Sequence, residues 1–276
     1  MSNGEQAIGV VESLWRYPVK SMLGEELSQA VVTERGLAGD RAYAVVEPSE
    51  GKVGSVKIAR KWGRLFEFSA SYVEPPRPGE RTPPVRIEFP DGTALTSEAA
   101  DLDRRLSAVL RREVRLASEP PPGLKIELTR RGADPLDPEA TTVDVVLPNP
   151  FFDLAALHVV STASLERLRE LYPQGRWEAR RFRLNLLVRT DSGQSGFVEN
   201  GWVGKTLAIG DEVRIRVISP TVRCAMPTLP QGDLPPDPGI LRTAAQANQS
   251  NVGAYAMVVR GGVVRVGDGV RVVDSG

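Results

Sequence analysis

The chain has one cysteine and one histidine among 276 residues. A single cysteine excludes an internal disulfide and any zinc or iron–sulfur site built from cysteines of this chain. A single histidine excludes a multi-histidine metal centre and leaves Cys224 with His158 as the sole possible Cys–His pair. Aromatic residues are scarce, at 6%. The tryptophans, Trp15, Trp62, Trp177 and Trp202, read as packing residues rather than as a stacking platform. No apolar run approaches the ~18 residues of a membrane helix, and residues 1–6 are polar. Neither a membrane span nor a signal peptide is expected. An excess of one charge is lacking too. Lys+Arg and Asp+Glu both number 35, so the formal net charge is zero, which gives no electrostatic footprint for nucleic acid. The lone cysteine fits a reducing compartment. The expected setting is the cytoplasm, with neither nucleic acid nor membrane as a partner.

Glycine (26) and proline (22) are plentiful, which favours short strands joined by turns over a helical bundle. Strand patterns fall at 8–16, 27–33, 42–47, 53–60, 65–73, 85–89, 93–96 and 114–117. They resume at 156–160, 184–189, 206–209 and 212–218. The stretches 254–259, 263–266 and 270–273 read as two hairpins. Ser97 is placed to cap a helix in which Leu102, Leu106, Val109 and Leu110 recur at helical spacing. Ser161 is placed to cap a helix over 163–171, and 240–247 is a third, short one. Three prolines at 120–122 close the first domain, and 123–150 reads as linker. The expected fold is mainly β with a few helices, barrel-like, in two domains over 1–122 and 123–276.

The chemistry starts at Cys224. The strand pattern at 213–218 delivers it to a proline-bracketed loop directly after Arg223. A nearby cation favours the thiolate, which is the nucleophile and the soft-metal ligand; the plain alternative is a small buried hydrophobe. Arg41, Arg181, Arg183 and Arg223 stand near turns or strand edges. Read as a strand, Arg181-Phe182-Arg183 puts two guanidiniums on one face, either ion-paired or aimed at a phosphate or other polyoxygen ligand. Asn185 continues that face with an amide that can donate and accept. Lys20-Ser21 adds a point charge and a hydroxyl but lacks the glycines of a Walker A loop. Gly36 and Gly39 are too few for a dinucleotide fingerprint. His158 sits in an apolar stretch and reads as a satisfied core histidine rather than a base. Asp153 reads as a turn carboxylate.

Taken in order, Tyr17-Pro18-Val19-Lys20-Ser21, Gly39-Asp40-Arg41, Arg181-Phe182-Arg183-Leu184-Asn185, Trp202-Val203-Gly204-Lys205, Ile209-Gly210-Asp211, Arg223-Cys224 and Val266-Gly267-Asp268 resemble the MOSC family. The name refers to the C-terminal domain of molybdenum cofactor sulfurase. The resemblance includes the N-terminal β-barrel domain that accompanies it, and so covers nearly the whole chain. The mitochondrial amidoxime reducing component and its bacterial counterparts are similar in architecture. What the resemblance implies is an N-terminal β-barrel domain, a C-terminal MOSC β-barrel domain and a molybdenum cofactor (molybdopterin) between them. Cys224 would be the molybdenum ligand and the catalytic residue. Lys20, Ser21, Arg41, Arg181, Arg183 and Asn185 match positions that hold the pterin phosphate and ring, with Arg223 beside the ligand cysteine. Asp153, Ser161 and Ser164 match positions lining the pocket. There are departures: Leu184 stands where the family has proline, and Val222 where a polar residue is often seen. The implied activity is an oxidoreductase that reduces N-hydroxylated or other N-oxygenated small molecules with an external electron donor, since the chain cannot hold an iron–sulfur cluster. The alternatives are a sulfurtransferase or sulfur carrier, with a Cys224 persulfide fed by a sulfur donor, and a module that stores cofactor without turnover.

Overall fold

Seven strands close into a barrel. They are β1 (Gln6–Arg16), β2 (Leu157–Ser161), β3 (Leu186–Thr190), β4 (Thr206–Ile209), β5 (Val213–Val222), β6 (Asn251–Arg260) and β7 (Gly269–Val273). The computed structural model describes residues 5–118, 124–129, 142–146, 151 and 155–273. Around the barrel the order is β1-β3-β2-β6-β5-β4-β7, and β7 pairs back onto β1. The β2–β3 pair is parallel and the others are antiparallel. Alternation along the strands, shifted in β1 by an irregularity between Val11 and Ser13, turns one set of side chains inward, so Val11, Leu14, Val159, Val188, Ile215 and Val270 share one core. Six of these strands lie in the C-terminal half, while β1 comes from the start of the chain. The barrel is therefore completed by a strand from the far side of residue 122.

A second piece of the N-terminal sequence joins the same body. The strand Gln29–Thr33 pairs with Gly262–Arg265. Gly262–Arg265 pairs with neither β6 nor β7, so the two hairpins expected at the C-terminus do not form. The backbone runs too close for a side chain here: a Cβ on Gly261 would come within 2.5 Å of Val32 O.

The remaining N-terminal residues build two smaller sheets. One joins Arg115–Ala117, Ala44–Glu47, Lys52–Val53, Lys125–Thr129 and Thr142–Val146. The other joins Ser69–Tyr72, Val85–Glu88 and Ala94–Thr96. The strands 125–129 and 142–146 fall inside the expected linker. Residues 53–60 and 65–73 are not strands throughout: after Val53 come a helical turn, Ala59–Trp62, and a 3-10 turn, Gly63–Glu67. Trp62, Leu65 and Phe66, at helical spacing, enter the core formed with Phe68, Ile87 and Leu106, and that burial overrides strand propensity. The helix Leu102–Leu110 begins after Asp101, not at Ser97. The Ser97 hydroxyl instead accepts from Val85 N at 3.1 Å.

Against the barrel lie the helices Thr162–Leu171 and Pro238–Asn248. Ser161 caps the first by accepting from Ser164 N at 3.1 Å, and Asp237 caps the second with Pro238 in its first turn, which satisfies amide donors that a helix start leaves free. The chain is thus mainly β with few helices. No helix among the described residues is long and apolar enough to cross a membrane.

Candidate functional site

The end of β1 and the starts of β2 and β3 meet because Leu14 and Val159 both pair with Leu186. Asn185, just before β3, ties them together. Its Nδ2 donates to Trp15 O at 3.2 Å and to Asp40 Oδ2 at 3.1 Å, and its Oδ1 accepts from His158 N at 3.1 Å. This side chain is 1% exposed, and its amide braces three segments at once. Asp40 completes the brace, its Oδ1 accepting from Tyr17 N at 2.8 Å while its Oδ2 pairs with Arg41. The loop after β1 is laid against residues 41–43, with Arg41 N donating to Tyr17 O at 2.7 Å and Lys20 N to Tyr43 O at 2.8 Å.

On that frame two guanidiniums lie over the Tyr17 ring, and a third, Arg223, lies over the Phe182 ring at 5.8 Å. Arg183 lies 4.2 Å from the Tyr17 centroid and Arg41 5.1 Å, distances at which a cation is attracted to an aromatic face. Arg183 also reaches across to the N-terminal core, 5.7 Å from the Phe66 ring, and donates to Met22 O. Arg223 is buried, and its Nη2 donates to Phe182 O at 2.9 Å. Cys224 follows it, half-buried. Among the charges that bear most on the Tyr17 hydroxyl are the cations Arg183, Arg41 and Arg223 and the carboxylate of Asp40. Burial pushes the Tyr17 ionisation up despite the three cations. Burial likewise pulls Arg223 down, opposed by Tyr255, Cys224 and Tyr17. Gathering like charges in a poorly solvated place is unfavourable unless an anion answers them.

His158 belongs to the same neighbourhood. It is buried, its Nε2 donates to Val252 O at 3.0 Å, and its pKa is pushed down to about 3 by burial first and by Arg223 next. It is neutral at ordinary pH and engaged by a carbonyl. Gly253 permits this contact, since at its φ of +80° a Cβ would stand 2.6 Å from His158 Nε2.

Backbone strain falls on two of these arginines and on Ser21, in the loop after β1. Ser21, Arg41 and Arg183 have φ of 67°, 50° and 52°, a left-handed conformation that non-glycine residues seldom adopt and that costs about 1–2 kcal/mol each. Arg111, Gln249 and Ser250 also have positive φ, at or just past the end of an α-helix, and Arg183 itself ends a 3-10 turn. Strain kept in loops is a mark of functional sites.

Other expected residues lie apart from this group. Residues 179–182 form a 3-10 turn, not a strand, and Arg183 is the left-handed residue that ends it. Arg181 and Arg183 therefore do not share a strand face. Arg181 is fully buried and clamps a loop through main-chain carbonyls: Nε donates to Arg176 O at 3.0 Å, Nη1 to Pro227 O at 2.9 Å and Nη2 to Pro235 O at 2.9 Å. Phe182, stacked on Trp177 at 6.2 Å, fixes this turn from the apolar side. Lys20 Nζ donates to Phe151 O at 2.9 Å, and Ser21 Oγ accepts from Val56 N at 3.3 Å. Ser161 and Ser164 form a separate buried group with Glu199, which accepts from Ser161 N at 2.6 Å and from the Ser164 hydroxyl. Asp153 lies outside the described residues. Leu184 is buried in an apolar cluster, and Val222 is 67% exposed. Tyr17 and Asp40 were not singled out from sequence as site residues. The signals were their places beside Lys20-Ser21 and Arg41.

The donor set suits an anionic, metal-bearing ligand. Among the described residues no group of three or more His, Cys, Asp and Glu could hold a metal. The Tyr17 hydroxyl and Arg223 Nε are buried with no hydrogen-bond partner among the described residues. Both can donate to an oxyanion. A separate open cleft of about 550 Å³ is lined by Trp15, Leu165, Trp177, Glu26, Glu166 and neighbouring residues, none of them in the arginine group.

Comparison with known proteins agrees with this architecture. The MOSC domain model matches residues 148–271 and the MOSC N-terminal beta barrel domain model matches residues 8–119. The chain belongs to the MOSC family, a family associated with molybdenum-cofactor binding. Among solved structures, the YuaD protein from Bacillus subtilis is 11% identical, with 98% of this chain and 97% of that chain covered and a TM-score of 0.49. YiiM from Geobacillus stearothermophilus is 20% identical, with 44% and 55% covered and a TM-score of 0.32. No curated protein matches the chain.

Proposed function

We propose that the protein is a molybdenum-cofactor-dependent oxidoreductase that reduces N-hydroxylated or other N-oxygenated small molecules. The observation that carries this reading is that Arg41, Arg183 and Arg223 all bear on the buried Tyr17 hydroxyl, with the half-buried Cys224 directly after Arg223. When bound, the cofactor supplies redox chemistry at its metal. The residues of the chain do the rest. Cys224 offers a soft thiolate to the metal. Arg41, Arg183 and Arg223 neutralise the phosphate, for which guanidinium forks are suited. Asn185 and Asp40 hold the Tyr17 loop in place and are braces rather than ligands. His158, neutral and bonded to Val252 O, is a wall of the site and not its acid or base. Electrons come from a partner, because one cysteine cannot hold an iron–sulfur cluster. A reducing cytoplasm suits the free thiol.

The test is metal and pterin analysis of protein made in a host that synthesises the cofactor, with Cys224→Ser alongside. Near-stoichiometric molybdenum and pterin in wild type, with molybdenum lost in the variant, is the expected result. Reduction of an N-hydroxylated amidine by an artificial donor then separates an enzyme from a cofactor store. Metal-free, pterin-free wild type would sink the reading.

The partial exposure of Cys224 favours one second reading, sulfur transfer. A partner's persulfide would pass its outer sulfur to the Cys224 thiolate and leave as a thiolate. Incubation with such a donor should add about 32 Da, one sulfur, to the intact mass. An unchanged mass rejects this route.

A further inference from the structure

Tyr17 is the residue on which the arginine group is assembled, yet its own polar atom has nothing to bind. The hydroxyl is buried out of reach of water and has no hydrogen-bond partner among the described residues. Its ring is covered by Arg183 at 4.2 Å and Arg41 at 5.1 Å. The backbone on either side is fixed: Tyr17 N donates to Asp40 at 2.8 Å and Tyr17 O accepts from Arg41 N at 2.7 Å. Arg223 Nε is a second buried donor of the same kind, and Arg223 is among the charges that bear on this hydroxyl. A buried hydroxyl without a partner destabilises a fold, and phenylalanine in its place removes that cost. Nothing in the packing of the ring calls for the oxygen.

We propose that the Tyr17 hydroxyl is a ligand contact, a donor to a phosphate oxygen of the bound cofactor, uncovered when that anion draws Arg41 and Arg183 off the ring faces. This rests on the reading of the site as a cofactor pocket. The arginines supply the long-range attraction and Tyr17 the directional bond. The arrangement sets stability against binding, since the oxygen is unfavourable without the anion and favourable with it.

Tyr17→Phe separates the two. Without ligand, the variant should melt roughly 2–4 °C higher than wild type, the shift that removing one unsatisfied buried group gives in a chain of this size. With ligand, it should bind roughly ten- to one-hundred-fold more weakly, the loss of one hydrogen bond to a charged group. The readouts are pterin retained through gel filtration and protection of cofactor-free protein by inorganic phosphate in thermal melts. Weaker pterin retention and weaker phosphate protection in Tyr17→Phe support the proposal. A wild type that carries no pterin, beside a Tyr17→Phe with weakened phosphate protection, removes the cofactor reading and leaves Tyr17 an oxyanion donor. A variant that retains pterin and phosphate as wild type does, or that melts lower without ligand, overturns the proposal.

Discussion

Arg181 and Arg183 are two residues apart and both buried, and the protein uses them in opposite ways. Arg181 enters the loop region around Pro227 and Pro235 and finds main-chain carbonyls at 2.9 Å in each direction. Its charge is desolvated, which lowers its pKa, but its donors are answered within the fold. Arg183 turns the other way, onto the Tyr17 and Phe66 rings, beside two further guanidiniums. A charge satisfied by carbonyls is structural. Arg183 gives one donor to the Met22 carbonyl and lays its guanidinium against two aromatic rings, where an arriving anion can meet it. The difference comes from one residue, Phe182, whose stacking on Trp177 turns the backbone into a 3-10 helix and separates the two side chains.

The comparison breaks first at Arg181. Replacing it with leucine leaves the buried carbonyl of Pro227 and the partly buried carbonyls of Arg176 and Pro235 without this donor, so the loss should be large, roughly 3–5 kcal/mol in denaturant unfolding. A loss under about 1 kcal/mol, the level of a surface pair, would show that the clamp is ornamental and that Arg181 belongs with the ligand group after all.

On the Arg183 side a pH dependence runs through His158. His158, packed there, has a folded pKa of about 3 against 6.5 for the free side chain. Below 6.5 the unfolded chain takes up a proton that the folded one refuses. Stability is therefore complete above pH 6.5 and declines as pH falls toward 3, by up to about 1.4 kcal/mol per pH unit. His158→Gln keeps a donor for Val252 O and cannot titrate, so its acid limb should be flatter than that of wild type. Arg181→Leu should shift the melting temperature without changing that slope. Parallel pH profiles for His158→Gln and wild type would show that His158 does not report on the arginine group.

How far the sequence discloses these two regions depends on how local their causes are. The barrel strands follow from alternation, and the Ser161 cap follows from a residue type placed before a helical pattern. Cys224 next to Arg223 needs no folding to be noticed. Arg181-Phe182-Arg183 is different: its alternation is that of a strand, and only the distant Trp177 stack and the carbonyls of residues 227 and 235 make it a turn. Residues 53–67 fail for the same reason, since Trp62 and Phe66 are claimed by a core shared with Ile87 and Leu106. The C-terminal hairpins fail because Gly262–Arg265 finds its partner in Gln29–Thr33. Tyr17 is legible as part of a motif but not as a site, because an unanswered hydroxyl is a property of packing.

Arg183→Met should cost the fold far less than Arg181→Leu. It removes the contacts with Tyr17 and Met22 O, but it also removes a like charge from a crowded place. The loss of two ring contacts and one carbonyl bond is partly offset by the loss of that repulsion, and the expected change in stability is about 1 kcal/mol. Pterin retention should fall sharply all the same. A variant that is badly destabilised, or one that keeps its pterin, would place Arg183 with Arg181 as a structural clamp.

The smallest effect on the fold should come from Cys224→Ser. The thiol is half-buried and belongs to none of the apolar clusters, so exchanging sulfur for oxygen there should leave unfolding within about 0.5 kcal/mol of wild type. Molybdenum content should nevertheless drop while much of the pterin remains, because the arginine group still answers the phosphate and only the soft ligand has gone. Measured side by side, metal and pterin therefore report on two halves of one site. Equal loss of both would mean that Cys224 supports the pocket as a whole, and loss of neither would mean that the metal is not bound through sulfur.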